Sequence, residues 1–388
     1  MTYTTRRLSY VAIIIICALS AAVAHADDEG RARQLDRYVV TSLVSDIQGL
    51  ASTTDPVLQN AWGVAFSPAA SPFWVVDNGT GCSTLYDGQG TKVSLQVKIP
   101  LPPLPGGTIP SSACQHVNPA HPPSQSPAAP TGIVWNATTS PTTGFLVPGT
   151  TLPASFIFAT ENGTISAWAG GLTPSDAAVL AADNSAVGAV YKGLVFGTNP
   201  NGVFLFATNF HAGTVDVFDH TYHQVTTDGD FKDPAIPPGF APFGIQNIDG
   251  DLFVTYAKQN AQKHDDVAGP GNGFVDVFDT EGHLRRRLVA RGQLNSPWGV
   301  ARASYAFGRF SGDILIGNFG DGKINAFDSD GNFQATLKGP DNKPIVIGGL
   351  WTLTLGGGRN SSSDTLYFTA GPNDETDGLF GTITPVSK

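Results

Sequence analysis

The sequence has few sulfur-containing and few charged residues. Its 388 residues include three cysteines and one methionine, and only 14% are Asp, Glu, Lys or Arg. It also lacks three common catalytic or binding motifs, namely Gly-x-Ser-x-Gly, His-Glu-x-x-His and a phosphate-binding glycine loop. These absences argue against serine hydrolases, zinc proteases and nucleotide-binding proteins of those kinds.

Basic residues are scarcer than acidic ones. The chain has 22 Lys and Arg against 32 Asp and Glu, and its formal net charge is −10. A negative surface repels phosphate backbones and anionic lipid headgroups. We therefore expect no nucleic-acid partner.

The first 26 residues have the features of a secretory signal peptide. Arg6 and Arg7 form a basic start, residues 11–23 are uncharged and mostly apolar, and Ala24-His25-Ala26 fits a cleavage site. This apolar run is too short for a membrane span, which needs about 20 residues. The sequence predicts a signal peptide over 1–26, a secreted or periplasmic mature chain over 27–388, and no membrane span after cleavage.

Two cysteines, Cys82 and Cys114, remain after cleavage. An even number of cysteines in an exported chain favours a disulfide bond. The alternative at this point is a pair of free thiols.

A unit of four short strands recurs along the chain. The clearest copy opens with Pro297-Trp298-Gly299, and its second strand ends at Asn318. Similar openings occur near positions 63, 132, 193, 244 and 351. Spacings of 51 to 69 residues between openings fit four-stranded blades with loop insertions. The repeats predict an all-β fold, a six-bladed β-propeller that forms a single domain and is expected to be a monomer.

The ring of blades needs a closing strand. The sixth repeat has no fourth strand of its own, whereas residues 38–44 form a spare strand before the first repeat. We expect this N-terminal strand to complete the last blade, since closure removes exposed sheet edges. Asn-Gly and Asp-Gly pairs between second and third strands further predict two-residue hairpin turns with positive φ at both residues.

The repeats resemble NHL repeats, whose blades open with Pro-x-Gly-Val/Ile-Ala and end their third strand with Phe-Asp. Residues 297–301 and 327–328 show both features. The chain looks like a member of a bacterial family of exported, uncharacterised propellers that is distantly similar to gluconolactonase-type propellers. Those lactonases use calcium or zinc, held partly by a Glu before the first inner strand and an Asn in a later Asn-Gly-Leu opening. Here Gln59 and Lys192 occupy the corresponding stretches, so a metal cage would have to be built differently.

Two insertions interrupt the repeats. Residues 100–130 contain ten prolines, a density typical of extended chain. This proline-rich arm contains Cys114, and a Cys82–Cys114 bond would attach it to the first blade. The arm also carries His116 and His121, whose spacing matches no zinc motif. The second insertion, residues 258–271, contains His264-Asp265-Asp266, which we interpret either as a cation site or as a solvated loop.

Alignment of the repeats predicts a candidate site at the turns between second and third strands. Asp77, Asn209 and Asn318 end their second strands, Glu161 lies one residue further along its turn, and His211 is on the same rim. In propellers such turns surround one mouth of the central channel, and oxygen ligands arranged in this way suit calcium. Side-chain oxygens at strand ends also satisfy backbone groups, which gives a purely structural alternative.

Two functions are compatible with these features. The first is a binding module for a protein, a glycan or a small molecule. The second, drawn from the resemblance, is a metal-dependent, lactonase-like hydrolase with its site at the channel mouth. The fold alone does not decide between them.

Overall fold

The structure, a computed structural model, describes residues 35–68, 71–118, 120, 123–138, 140 and 144–387. The predicted signal peptide and His121 lie outside these residues and stay predictions. The described chain begins with β1 (Arg37–Ser45) and the short β2 (Thr53–Thr54). Blade 1 follows, with β3 (Ala61–Ala65), β4 (Phe73–Asp77), β5 (Cys82–Tyr86) and β6 (Lys92–Lys98).

The next two blades include the first of two short 3₁₀-helices. Blade 2 contains β7 (Pro130–Trp135), β8 (Phe156–Thr160), β9 (Thr164–Trp168) and β10 (Val179–Asp183). The 3₁₀-helix Ser185–Val187 leads into blade 3, which contains β11 (Tyr191–Asn199), β12 (Gly202–Asn209), β13 (Thr214–Phe218) and β14 (Gln224–Val225).

The last three blades complete the ring. Blade 4 contains β15 (Phe240–Ile248), β16 (Asp251–Lys258), β17 (Phe274–Phe278) and β18 (Leu284–Ala290). Blade 5 contains β19 (Pro297–Arg302), the 3₁₀-helix Gly308–Phe310, β20 (Ile314–Asn318), β21 (Ile324–Phe327) and β22 (Phe333–Thr336). Blade 6 contains β23 (Leu350–Leu355), β24 (Leu366–Ala370) and β25 (Leu379–Val386).

Each blade is an antiparallel sheet whose strands follow one another from the inside outwards. The first strand of each blade packs against the first strand of the next blade around a common axis. The prediction of an all-β, six-bladed β-propeller is confirmed.

The N-terminal strand closes the last blade, as predicted. β1 pairs antiparallel with β25 along its whole length, and β2 adds a short parallel edge that the sequence did not predict. Tyr38 is fully buried in this seam, stacks on Phe307 at 4.9 Å and donates its hydroxyl to the Phe307 carbonyl at 3.0 Å. β1 therefore joins blade 6 through hydrogen bonds and blade 5 through packing.

The acidic residue after the third strand has a structural role. Asp87 accepts hydrogen bonds from the backbone N–H groups of Gln89 and Thr91, both at 2.9 Å. Three other blades repeat this arrangement at Asp219, Asp279 and Asp328. The repeated Asp is thus explained by turn capping, because the carboxylate satisfies donors that the tight turn leaves unpaired.

The inner strands approach too closely for side chains at one position. A Cβ added to Gly244 would lie 2.2 Å from the Trp298 carbonyl, and one added to Gly299 would lie 2.4 Å from the Trp351 carbonyl. In blade 6 the position is Thr352, whose hydroxyl donates to the Trp62 carbonyl at 2.8 Å. The glycines of the other openings therefore allow neighbouring inner strands to approach closely, and in blade 6 a hydrogen bond from Thr352 bridges the gap.

The predicted two-residue hairpin turns are wrong. The β8–β9, β12–β13 and β20–β21 connections have three to five residues, and each places a single glycine, Gly163, Gly213 or Gly322, at positive φ. The polar residues of the predicted Asn-Gly and Asp-Gly pairs keep negative φ. Longer turns of this kind expose more side chains at the mouth of the channel than two-residue turns would.

The proline-rich arm is attached to blade 1 by the predicted disulfide. Cys82 and Cys114 are bonded, with their Cα atoms 5.5 Å apart. Further along the arm, Val117 is held by the side chain of Gln59, which lies just before blade 1. The Gln59 carboxamide accepts from the Val117 N–H at 2.7 Å and donates to the Val117 carbonyl at 3.1 Å. Gln59 also donates to the Thr376 carbonyl at 3.2 Å, so the arm lies beside the turn between β24 and β25.

Candidate functional site

Aromatic side chains fill the channel where the inner strands begin. The residue before the glycine of each opening contributes Trp62, Phe243, Trp298 and Trp351 from four blades. Trp351 stacks on Trp62 with ring centroids 3.5 Å apart, and it contacts Trp298 at 5.8 Å and Phe243 at 5.9 Å. We call this group, with Phe210 and Phe319, the aromatic plug. Contacts between side chains from four different blades place it on the propeller axis.

One blade presents a cation at the same position. In blade 3 the equivalent residue is Lys192, whose side chain is only 3% exposed. Its ammonium lies 5.1 Å from the centre of the Trp62 ring and 5.8 Å from that of Phe210. It forms an ion pair with Glu161, whose side chain is 12% exposed. A nearly buried lysine is destabilising unless it is paired, so the carboxylate of Glu161 is what allows Lys192 to lie at the mouth.

A chain of hydrogen bonds and ion pairs surrounds the axis above the plug. The Trp351 indole donates to Asn60 Oδ1 at 3.0 Å, Asn60 donates to Asn78 Oδ1 at 3.2 Å, and Asn78 donates to Glu161 Oε2 at 2.9 Å. Glu161 binds Lys192, whose Nζ also lies 3.7 Å from Asp265 Oδ1. The chain ends in the 2.8 Å contact between Asp265 and His264 Nδ1. We name the polar collar by its eight residues: Asn60, Asn78, Glu161, Lys192, His264, Asp265, Asp266 and Glu375.

Glu375 is held in the collar by an unusual backbone segment. Asn373, Asp374 and Glu375 have φ values of 55°, 53° and 65°. Three consecutive residues other than glycine in the left-handed region are strained, and such strain persists where the surrounding structure enforces it. Asn60, with φ of 48°, donates from Nδ2 to Glu375 Oε2 at 2.7 Å. A run of three left-handed residues therefore holds Glu375 where blade 6 meets the collar.

Burial shifts the protonation of the collar. Burial raises the pKa of the Glu375 carboxyl to about 7; the hydrogen bond from Asn60 opposes this rise, and the charge of Glu161 adds to it. Burial also raises the pKa of Asp266 and outweighs the opposing effect of the Ser296 hydroxyl. No hydrogen bond of standard geometry reaches Asp266 Oδ2. The hydrogen bond between His264 and Asp265 raises the pKa of His264 and lowers that of Asp265. The collar thus combines one carboxyl group, Glu375, that titrates near neutral pH with another, Asp265, whose pKa is lowered.

The structure separates the residues that the sequence placed at this site. Glu161 is in the collar, and His211 lies just outside it, partly exposed, beside the turn at Gly188. Asp77, Asn209 and Asn318 are buried away from the axis and bind groups within their own blades. Asp77 accepts from Thr84 at 3.1 Å, and Asn209 donates to Asp216 at 2.9 Å. The predicted alignment at strand ends is correct, but these three side chains do not converge on the mouth.

The predicted calcium ligands are therefore not brought together. The acidic and histidine atoms that do lie together at the mouth belong to Glu161, His264 and Asp265, within 4.8 Å of one another. Both of those carboxylates contact the ammonium of Lys192. An ion bound there would compete directly with a buried positive charge.

Sequence reasoning assigned no site role to Lys192, Asn60 or Glu375. A signal for Lys192 was present, because it aligns with Trp62, Trp298 and Trp351 and is the charged residue at that repeat position. Asn60 precedes the first inner strand by one residue, where the blade 5 repeat has Ser296. For Glu375 we find no local signal, since its role depends on the left-handed conformation of a loop in blade 6.

No protein-family model matches the chain. Its sequence is 30% identical over 363 residues to uncharacterised protein R648 of Acanthamoeba polyphaga mimivirus, covering 91% of this chain and 82% of the relative. It is also 30% identical over 362 residues to uncharacterised protein L690 of the same virus, covering 91% and 87%. This chain belongs to the family of those two mimivirus proteins. The expected membership in a bacterial, exported family stays a prediction.

Solved structures similar to this chain include other propellers. A gluconolactonase from Xanthomonas campestris is 13% identical with a TM-score of 0.48, covering 92% of this chain and 93% of that one. A streptogramin B lyase is 12% identical with a TM-score of 0.45, covering 91% and 99%. At this similarity their activities do not extend to this chain. Among the described residues, no helix has the length and apolar character needed to span a membrane.

Proposed function

We propose that this propeller is an extracytoplasmic binding module that holds a small polar molecule in the polar collar. The observation that carries the proposal is the collar itself. Five of the six blades contribute polar side chains to one network of hydrogen bonds and ion pairs above the aromatic plug. Binding sites are typically concave, with an apolar floor and a few convergent polar groups.

The collar is open towards solvent on the side away from the plug. Asp265 is 62% exposed and His264 is 45% exposed, whereas Lys192 at the base is almost completely buried. A ligand can therefore reach the network from the rim without displacing the core. The rigid β-sheets beneath fix the positions of the polar atoms before the ligand arrives, which reduces the entropic cost of binding.

Two further features support an extracytoplasmic role. The sequence predicts a signal peptide, and the Cys82–Cys114 bond belongs to a class of bond that persists in oxidising compartments. The disulfide-tethered arm reaches the collar side of the molecule through Gln59, the residue before Asn60. We propose that the mature chain, 27–388, acts there as a single-domain monomer.

The experiment is a thermal-shift screen of the mature protein against small neutral, cationic and anionic compounds. We expect at least one class to raise the melting temperature, with the gain lost in Glu161→Gln. The matched control is Asp176→Asn, which removes an exposed carboxylate on the outer surface of blade 2. Binding that survives every collar substitution, or binding by none of the compounds, would reject the proposal.

A hydrolase is the second candidate, favoured by the different protonation of the collar carboxyls. Burial raises the pKa of Glu375 to about 7, while the pKa of Asp265 lies below its usual range. Such a pair can divide the roles of general acid and general base. The metal-dependent form of this hypothesis predicts that calcium raises the melting temperature and that Glu161→Gln removes the effect.

A further inference from the structure

Lys192 shows which chemical group the collar already accommodates. Its ammonium contacts the carboxylates of Glu161 and Asp265 and lies over the face of Trp62. Carboxylates together with an aromatic face are the partners that stabilise an organic ammonium group in proteins. The chain thus binds one of its own amines at the base of the collar.

The collar retains binding capacity that Lys192 does not use. Glu375 Oε2 accepts from Asn60, but no hydrogen bond of standard geometry reaches the buried Asp266 Oδ2. The indole N–H of Trp62, a residue only 1% exposed beneath Lys192, is also without a partner. Buried polar atoms in native proteins are almost always satisfied, so this acceptor and this donor are available to a bound ligand.

The charges of the collar favour a cation as that ligand. Four carboxyl groups, those of Glu161, Asp265, Asp266 and Glu375, face one lysine and one histidine. Lys192 is shared by Glu161 and Asp265, and the other two carboxyl groups lack a contacting cation among the described residues. Because an adjacent cation favours the ionised form of a carboxyl group, a second ammonium group beside Glu375 and Asp266 would oppose the rise in pKa that burial causes at both.

We propose, on the basis of the binding function above, that the ligand carries a primary ammonium group together with a hydrogen-bond acceptor, as an amino alcohol does. The ammonium binds between Glu375 and Asp266, and the acceptor faces the donors of Lys192 and Trp62. A divalent metal fits less well, because calcium requires six to eight oxygen ligands. Two of the available carboxylates are already held by Lys192.

The test compares ethanolamine with ethylene glycol, which has the same size but a hydroxyl in place of the ammonium. Binding to the disulfide-intact mature protein is measured by titration calorimetry at low salt with millimolar ligand. We expect ethanolamine to bind and ethylene glycol not to bind. Substitution of both Glu375→Gln and Asp266→Asn should weaken ethanolamine binding by about 30-fold or more, since it removes both carboxyl groups that can ionise beside the bound ammonium.

Control variants separate loss of the site from loss of the fold. Asp341→Asn removes an exposed carboxylate far from the collar and should leave ethanolamine binding unchanged. Glu375→Gln alone, checked by near-ultraviolet circular dichroism, provides a milder variant if the double variant fails to fold.

Three results decide the outcome. Collar-dependent binding of ethanolamine but not ethylene glycol supports the inference. Collar-dependent binding of ethylene glycol or calcium chloride, without ethanolamine, would overturn the ammonium assignment and leave the binding function standing. Ethanolamine binding that is unaffected by the double variant, or an absence of collar-dependent binding by any compound in the wider screen, would overturn both.

Discussion

Two neighbouring positions in the repeat have opposite roles. The last residue of the second strand, Asp77 in blade 1 and Asn318 in blade 5, turns into the blade and is fully buried. The next residue turns towards the axis: Asn78 joins the collar, and Phe319 stacks on Trp351 at 4.0 Å. Because side chains alternate along a strand, a shift of one residue exchanges the interior of the blade for the channel mouth. Polar residues at the first position therefore serve the fold, and those at the second are available to a ligand.

The largest expected effect is at the axis. Lys192→Met would leave the Glu161 carboxylate unpaired at the base of the collar, and we expect unfolding free energy to fall by about 3–5 kcal/mol. Lys323→Met is the matched control, because Lys323 pairs with Asp321 at a site where its side chain is 40% exposed. That exposed pair should contribute no more than about 1 kcal/mol. Equal losses in urea denaturation would show that the axial lysine has no special role.

A second pair of variants separates the two positions directly. Asn318→Ala removes the hydrogen bond to the Gln293 carbonyl at 2.8 Å, and we expect a loss of about 1–3 kcal/mol with ligand binding unchanged. Asn78 is one position further along the corresponding turn of blade 1. Asn78→Ala should weaken ligand binding strongly and lower the unfolding free energy only slightly. Calorimetry and chemical denaturation on both proteins check this. The comparison fails if Asn318→Ala abolishes binding while Asn78→Ala does not.

Asp77→Asn should cost less than about 1 kcal/mol at neutral pH, although the residue is fully buried. Burial raises the pKa of Asp77 well above its ordinary value, so the folded protein keeps this carboxyl protonated and an amide resembles it. The unfolded chain loses the proton near pH 4. Wild-type stability therefore falls as pH rises above about 4 towards the folded pKa, and Asp77→Asn should remove that part of the slope. Unfolding curves between pH 4 and 8 that have the same slope in both proteins would contradict this.

The smallest expected effect is on the pH dependence of stability, at Glu375 in the collar. Burial raises the pKa of Glu375 from 4.5 to about 7, so its contribution to stability is present below pH 4.5 and is lost as pH rises to about 7. Glu375→Gln should flatten the pH dependence of unfolding in that window and leave it unchanged above. Since Glu375 is partly exposed at the mouth, we expect a slope well below the limit of about 1.4 kcal/mol per pH unit for one group. A change confined to pH above 8 would show that another group titrates.

The repeat pattern predicted most of the fold because its determinants are local. Glycines at blade openings, as at Gly244 and Gly299, and the capping residues after third strands, as at Asp87, each act within or beside one blade. The closure by β1 joins distant parts of the chain, and it was predicted by counting strands: the sixth repeat lacks a fourth strand and a spare one precedes the first repeat. The hairpin turns were predicted wrongly because an Asn-Gly or Asp-Gly pair fits longer turns as well as two-residue turns.

The candidate site depended on features that no single repeat contains. Strand ends could be aligned from sequence. The direction in which the Asp77 and Asn318 side chains point could not, because a shift of one residue along a strand moves a side chain to the opposite face. The position of Lys192 could be aligned with three tryptophans, yet its partner Glu161 comes from a different blade. Glu375 reaches the collar only because the backbone of residues 373–375 is left-handed.

By itself, then, the sequence determined the number of blades and the closing strand, since both follow from the repeat pattern, and it favoured a Cys82–Cys114 bond over two free thiols. The tertiary structure decided which polar residues meet. The collar joins residues that are far apart in the chain, such as Asn60 and Glu375, and their 2.7 Å contact exists only when the ring has closed. Local patterns specify strands and turns, whereas a site on the axis requires the inner ends of the blades to be brought together around one line.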